Sequence, residues 1–236
     1  MGTGITAILL HELPYNAPWL YWLSIVVFVL NVVLFASFIA ILLARCIFWP
    51  GAWSSIIHHS EQSLFLGAVP ISLGTIIPMI CYVCVDSWGS RAQDLAATLW
   101  VIQVILSVMC AFVMPFLLIS TSECMDLSKV TARHLFPAVC CVVASATGSH
   151  VVSVLTDPQH ALWTVLASYV LWGIGVPMAM MTTIVYFHRL MIHKLPPREL
   201  MMSAFIPIGK FRFHHRMLTS AHVYEQVLSV KVVMQF

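Results

Sequence analysis

Several sets of residues in this chain have types and spacings that chemistry could use. His188 and His193, in HRLMIH, have the spacing of one histidine box of a membrane di-iron site, and FRFHHR carries a second pair, His214 and His215. Such a site also needs a histidine two or three places before the pair, where Phe211 and Arg212 stand. Five helical residues turn a side chain through about 140°, so His188 and His193 share no face. Neither a metal site nor a cofactor is expected from them, given the ligand number and geometry that metals require. Cys81 and Cys84 form a lone CxxC, half of a zinc set, which fits packed thiols. His150 lies inside an apolar run toward its end, where a histidine either relays protons or is simply solvated. No G-x-S-x-G, P-loop or H-E-x-x-H occurs, so no catalysis is expected and the chain is not read as an enzyme.

A last set is uncharged: Thr3, Gly4, Gly67, Ser72, Gly74, Thr75, Ser145, Thr147 and Gly148, hydroxyls and the glycines beside them. A hydroxyl can donate to a passing anion without a fixed charge that would trap it. The same hydroxyls can instead bond back to carbonyls of their own helix. Both readings stand at this point: a path lined by these residues, or close packing of small side chains.

The elements that must position these residues are membrane helices. The chain is 61% hydrophobic and 8% charged, with a mean hydropathy of +0.95, which fits a polytopic membrane protein in a lipid bilayer. A net charge of +2 gives no reason to expect nucleic acid as a partner. Spanning a bilayer takes about 20 apolar helical residues. Runs 19–44, 64–85, 95–121, 135–156 and 161–187 meet that length, and none holds Asp, Glu, Lys or Arg away from its ends. Two shorter stretches, 1–11 and 200–209, offer about half a span each. Counting the first stretch as helix one, the loops after the even helices carry Arg45, Lys129, Arg133, Arg189, Lys194 and Arg198, and the opposite side carries Arg91. That asymmetry places the basic side in the cytoplasm.

A faint repeat underlies the spans. Pro70, Pro137 and Pro207 fall early in odd helices at intervals of 67 and 70 residues, and Gly4 precedes Gly74 by 70. The unit is a hairpin: a helix interrupted by Gly and Pro, then a smoother apolar return, a plan common in transporters. The odd helices are expected to form an inner layer around a path, and the even ones an outer layer facing lipid.

MGTGITAILLHELPYN, QSLFLGAVPISLGTI, DPQHALWTVLASYVLWGIGVPMAM and HKLPPRELMMSAFIPIG resemble the tellurite-resistance/C4-dicarboxylate transporter family, and within it the fungal sulfite efflux pumps. The resemblance covers residues 1–209 and implies an all-α fold of ten helices in five hairpins, of which this chain holds about half. It implies odd helices lining the path, assembly as a trimer in the plasma membrane, and passage of a small anion, sulfite or, in cousins, malate. The family gate is a phenylalanine on a ninth helix, so no gate residue carries over. Members begin earlier and continue differently after IPIG, so Lys210–Phe236 is expected to be a polar tail foreign to the fold and the chain a shortened copy. The expected function is channel-like sulfite efflux; the alternatives are dicarboxylate transport, or a non-transporting fragment that co-assembles with full-length relatives.

Overall fold

A computed structural model describes residues 2–13, 18–48, 67–121 and 132–193. The short helix expected at 200–209, the tail 210–236, residues 64–66 of the second apolar run and the histidine pair His214 and His215 lie outside the described residues.

Six helices follow in order: α1 Gly2–His11, α2 Pro18–Phe48, α3 Ala68–Met79, α4 Ser90–Thr121, α5 Phe136–Val154 and α6 Pro158–His193. Among the described residues α2, α4, α5 and α6 are each long and apolar enough to cross a membrane. The run expected as one membrane-spanning helix over 64–85 is a short α3 continued by a π turn, Ile80–Cys84, and a last α turn, Val85–Trp88. Pro78 lies inside α3 just before the change. Its ring removes one N–H from the ladder and crowds the carbonyl four residues back, at Gly74, while the π turn follows on its other side.

Local chemistry sets the other boundaries. Gly89 has a φ of +58° and its N–H donates to the Val85 carbonyl at 3.0 Å, turning the chain from α3 into α4 in a conformation that favours glycine. Asp157 precedes Pro158, and its Oδ1 accepts from the Gln159 N–H at 3.3 Å, which caps α6. Pro137 stands in the first turn of α5, where its missing donor costs nothing.

Burial sorts the helices into two layers. Over its most apolar stretch α5 is 67% buried, whereas α4 is 33%, α6 22% and α2 11%. α3 is buried almost continuously from Pro70 to Met79. The inner helices are thus the ones rich in Gly, Ser and Pro, and the outer ones present Val, Leu, Ile and Phe outward, among them Val26, Phe38, Ile105, Phe116 and Ile184. A helix apolar on its exposed face needs lipid around it. Trp19, Trp22, Trp88 and Trp163 are all exposed at one end of the bundle, the end where α2, α4 and α6 begin, and form the aromatic belt expected at a membrane interface. Arg45 and Arg189 lie near the opposite helix ends.

The core is tied by few polar bonds. Trp100 of α4 is buried and its Nε1–H donates to the Ala144 carbonyl of α5 at 3.0 Å. Trp100→Phe keeps most of the ring and removes that donor. It is expected to cost about 1 kcal/mol, measured as unfolding by a denaturing detergent in mixed micelles, and a variant as stable as the parent would refute the role given to this bond.

Candidate permeation site

The uncharged residues singled out above fall into separate places on the inner helices. Thr3 on α1 donates through Oγ1 to Asn31 Oδ1 of α2 at 2.8 Å, and Asn31 is buried. Gly4, one residue on, faces α3: a Cβ built there would lie 2.2 Å from Thr75 Oγ1 and 3.0 Å from Asn31 Nδ2. Thr3, Gly4 and Thr75 are therefore brought together with Asn31, where α1 crosses α2 and α3.

A second group gathers around Gln103 of α4, which is fully buried. Its Nε2 donates to the Pro70 carbonyl of α3 at 3.2 Å, and its Oε1 accepts from Thr147 Oγ1 of α5 at 2.9 Å. Gly74 makes room for it: a Cβ there would come within 2.7 Å of Gln103 Nε2 and 2.5 Å of Val143 Cγ1. One amide thus clamps both inner helices, with Gly74 and Thr147 at the clamp.

Ser145 and Gly148 look elsewhere. They share a face of α5 with Cys141, at helical offsets of four and seven residues. Cys141 Sγ approaches the Ser107 carbonyl of α4 at 3.6 Å, and a Cβ on Gly175 of α6 would lie 2.9 Å from Cys141 Cβ. A Cβ on Gly148 would lie 2.0 Å from Ser168 Oγ of α6 and 3.1 Å from the Trp100 indole. This face of α5 meets the outer helices, and the hydroxyls of Ser107, Ser145 and Ser168 are buried on it without a hydrogen-bond partner. Gly67 sits at the start of α3 against α5, where Cys140 Sγ donates to its carbonyl at 3.1 Å.

Most hydroxyls of the set do bond back to their own helix. Ser72 Oγ donates to Ala68 O and Thr75 Oγ1 to Ser72 O, both at 2.8 Å, Thr147 Oγ1 also reaches Ala144 O at 2.9 Å, and Ser149 Oγ, next to the set on α5, does the same to Ala146 O at 2.7 Å. Ser72 and Ser149 stay half-exposed. A hydroxyl held this way keeps a lone pair available but has committed its proton. Donating to an anion then requires a rotation that exchanges one acceptor for another.

Sequence reasoning missed the residues that organise these places. Gln103 and Asn31 are single amides in apolar runs. At the aromatic end, Tyr82 on the π turn contacts both Glu12 beyond α1 and His150 on α5; of the three only His150 was singled out in the sequence, as a relay or a solvated residue. Among the described residues no group of His, Cys, Asp and Glu is arranged to hold a metal ion.

A layer of inner helices with buried hydroxyls and no mid-helix charge, wrapped by apolar helices, is the context in which a family match carries weight. The family described as SLAC1, voltage-dependent anion channel, matches residues 1–220. The chain belongs to this anion channel family. It is a multi-pass membrane protein, and the match takes in the start of the segment after Gly209 that the sequence pattern sets apart. Among curated proteins it is similar to the sulfite efflux pump of Arthroderma benhamiae, 43% identical over 89% of this chain and 56% of that protein. The sulfite efflux pump of Candida albicans is 29% identical over 89% of this chain and 43% of the pump. The malic acid transport protein of Schizosaccharomyces pombe is 24% identical over 74% of the chain and 40% of that protein. This member of the anion channel family spans about half the length of the curated relatives it matches. No solved structure matches it significantly.

Proposed function

We propose that the chain forms part of a route for small anions, sulfite above all, out of the cell across the plasma membrane. The observation that carries this reading is the chemistry of the inner layer. α3 and α5 bring hydroxyls, amide contacts and glycines to membrane depth, with no carboxylate, lysine or arginine along them. Of the uncharged set, Ser72 is the half-exposed hydroxyl of α3, while Thr3, Gly4, Gly74, Thr75 and Thr147 shape the contacts behind it. Ser145 and Gly148 hold α5 against the outer layer, and Gly67 lets α3 begin close to α5. A wall of this kind lowers the cost of an anion by dipoles and leaves no fixed partner to hold it. The reading is of transport, not catalysis.

Charge drives such a route without a coupling ion. An inside-negative potential favours anion exit by about 2.3 kcal/mol per charge per 100 mV. Orientation with Arg45 and Arg189 inward and the tryptophan belt outward follows from the loop charges. Completion of the ring by further helices, and assembly as a trimer, belong to the same reading.

The similarity to a malic acid transport protein favours a second reading, passage of a C4 dicarboxylate. The two are separated in a yeast strain lacking its own sulfite pump, carrying either this chain or this chain joined to the remaining helices of the Arthroderma pump. The expected result is restored sulfite tolerance and release with the joined chain. Malate movement without sulfite release would favour the dicarboxylate, and neither activity in the joined chain would sink the transport reading. If the chain alone restores tolerance, copies of it build a complete route by themselves. If the chain alone suppresses tolerance conferred by the joined form, it acts by co-assembly.

A further inference from the structure

The cluster at the tryptophan end carries chemistry that passage along a hydroxyl-lined wall does not use. Three helices meet there. α1 ends at His11 with Glu12 next in the chain, the π turn after α3 presents Tyr82, and α5 presents His150 one turn before its end. All four side chains are half-buried. Tyr82 Oη lies 3.1 Å from Glu12 Oε1 and 3.0 Å from His150 Nδ1, and the His11 ring stacks on the Tyr82 ring with centroids 5.0 Å apart.

Donor counting fixes what this arrangement can do. A phenol has one proton to donate. When Tyr82 gives it to the Glu12 carboxylate, the second contact is a hydrogen bond only if His150 Nδ1 carries a proton and donates it to Tyr82 Oη. The bonds then run from His150 through Tyr82 to Glu12. The order can reverse in one concerted step. When His150 carries protons on both ring nitrogens, the Nδ1 proton passes to Tyr82 Oη while the phenol proton passes to Glu12 Oε1. An imidazolium and a carboxylate become a neutral imidazole, protonated at Nε2, and a neutral carboxyl; the phenol is intact and one proton has moved from one end to the other.

We propose that Glu12, Tyr82 and His150 form a single proton-exchange site, at which a weak-acid oxyanion gives up or takes on a proton at this end of the inner layer. This rests on the anion-passage reading above. The π turn supports it: single π turns concentrate at functional sites, and one added residue swings the rest of the helix about 100° around its axis. Position supports it too, because the exposed Trp19, Trp22, Trp88 and Trp163 put the cluster at the depth of the membrane interface, where protons are exchanged with water. An imidazole ordinarily changes charge between about pH 5 and 8, the range in which bisulfite and sulfite interconvert. Among the described side chains, the other titratable groups at this end are His11, Tyr21 of α2 with its ring 6.2 Å from that of His11, Cys81 and Cys84 on the π turn, and the exposed Arg91, Asp94, Asp157 and His160.

The test uses the full chain in lipid nanodiscs with ¹⁵N-labelled histidine, the His150 signal being assigned by its loss in His150→Gln. Removing a nearby negative charge disfavours the imidazolium, so the His150 midpoint is expected to fall by about half a pH unit or more in Glu12→Gln. Tyr82→Phe should move it the same way, because the hydroxyl carries the coupling while the ring stays on His11. A midpoint unmoved in both variants overturns the site, since packing alone predicts that result. The same substitutions in the chain joined to the remaining helices of the Arthroderma pump, in vesicles loaded with sodium sulfite, give the second reading. The dependence of sulfite flux on pH between 5 and 8 is expected to flatten in Tyr82→Phe and His150→Gln, and a profile of unchanged shape overturns proton exchange with the anion. No flux from the unaltered joined chain at any pH would count against the transport reading instead, and the titration alone then decides the site.

Discussion

Gly148→Ala is expected to destabilise the bundle by about 1–3 kcal/mol, and Ser168→Ala in the same chain to return most of that loss. The cause is steric. A Cβ on residue 148 would stand 2.0 Å from Ser168 Oγ, so α5 and α6 must separate or the hydroxyl must move, and the Trp100 indole 3.1 Å away blocks the other side. Ser168 is buried and its hydroxyl has no partner, so Ser168→Ala alone should be neutral or slightly stabilising. The double variant then replaces a hydroxyl touching a bare backbone with two methyl-sized groups in van der Waals contact. Small residues are how membrane helices approach closely, because lipid supplies no hydrophobic force to press them together. Unfolding in mixed micelles with increasing denaturing detergent measures all four chains. If Gly148→Ala costs the same with serine or alanine at 168, the α5–α6 approach is not the one described. Gly148→Leu extends the series, and a bulkier branch at the same contact should prevent α6 from docking.

The layers of this fold were legible from composition because burial and polarity separate along the chain. Odd runs carrying Gly, Ser and Pro are the ones now seen buried as α3 and α5, and the Val- and Leu-rich even runs are exposed. The tendency of Ser72, Thr75 and Ser149 to bond to their own helix was also legible, since it depends only on a carbonyl three or four residues back. Contacts between helices were not legible. Helical spacing puts Ser145 and Gly148 on one face of α5, yet nothing in the spacing says whether that face meets inner or outer neighbours; Cys141 and Ser168 decide it. The partners of Tyr82 lie 70 and 68 residues away, and those of Gln103 lie 33 and 44 away. No period in an unaligned sequence connects residues so far apart. The π turn went unseen for a different reason, because it differs from an α turn by one residue and leaves no pattern of its own in an apolar run.

Gln103→Ala is expected to be the costliest single truncation among the residues that tie the inner helices, at about 2–4 kcal/mol, and Gln103→Leu to recover more than half of it. Two effects combine in the alanine variant. The hydrogen bonds to Pro70 O and Thr147 Oγ1 are lost, each contributing about 0.6 kcal/mol on average between membrane helices and at most about 1.7. A cavity also opens at a fully buried position, and its lining loses contacts it cannot replace. Leucine refills most of the volume and leaves only the polar loss. That loss is moderate because Thr147 Oγ1 also reaches the Ala144 carbonyl, at 2.9 Å, so its proton is not stranded. Thr147→Val removes the hydroxyl from both Gln103 Oε1 and the Ala144 carbonyl and leaves the buried Oε1 without that donor, so it should cost at least as much as Gln103→Leu. The same detergent unfolding series orders the three variants, and equal losses for alanine and leucine would mean that polar clamping outweighs packing here. The order matters for passage as well as stability. Gln103 is an outer-layer residue whose one side chain fixes the separation of α3 and α5, and Gly74, against which it rests, leaves no room for a larger group. In the proposed route between the inner helices, the width is set where those helices are tied, so the residue that ties them would govern the route without lining it.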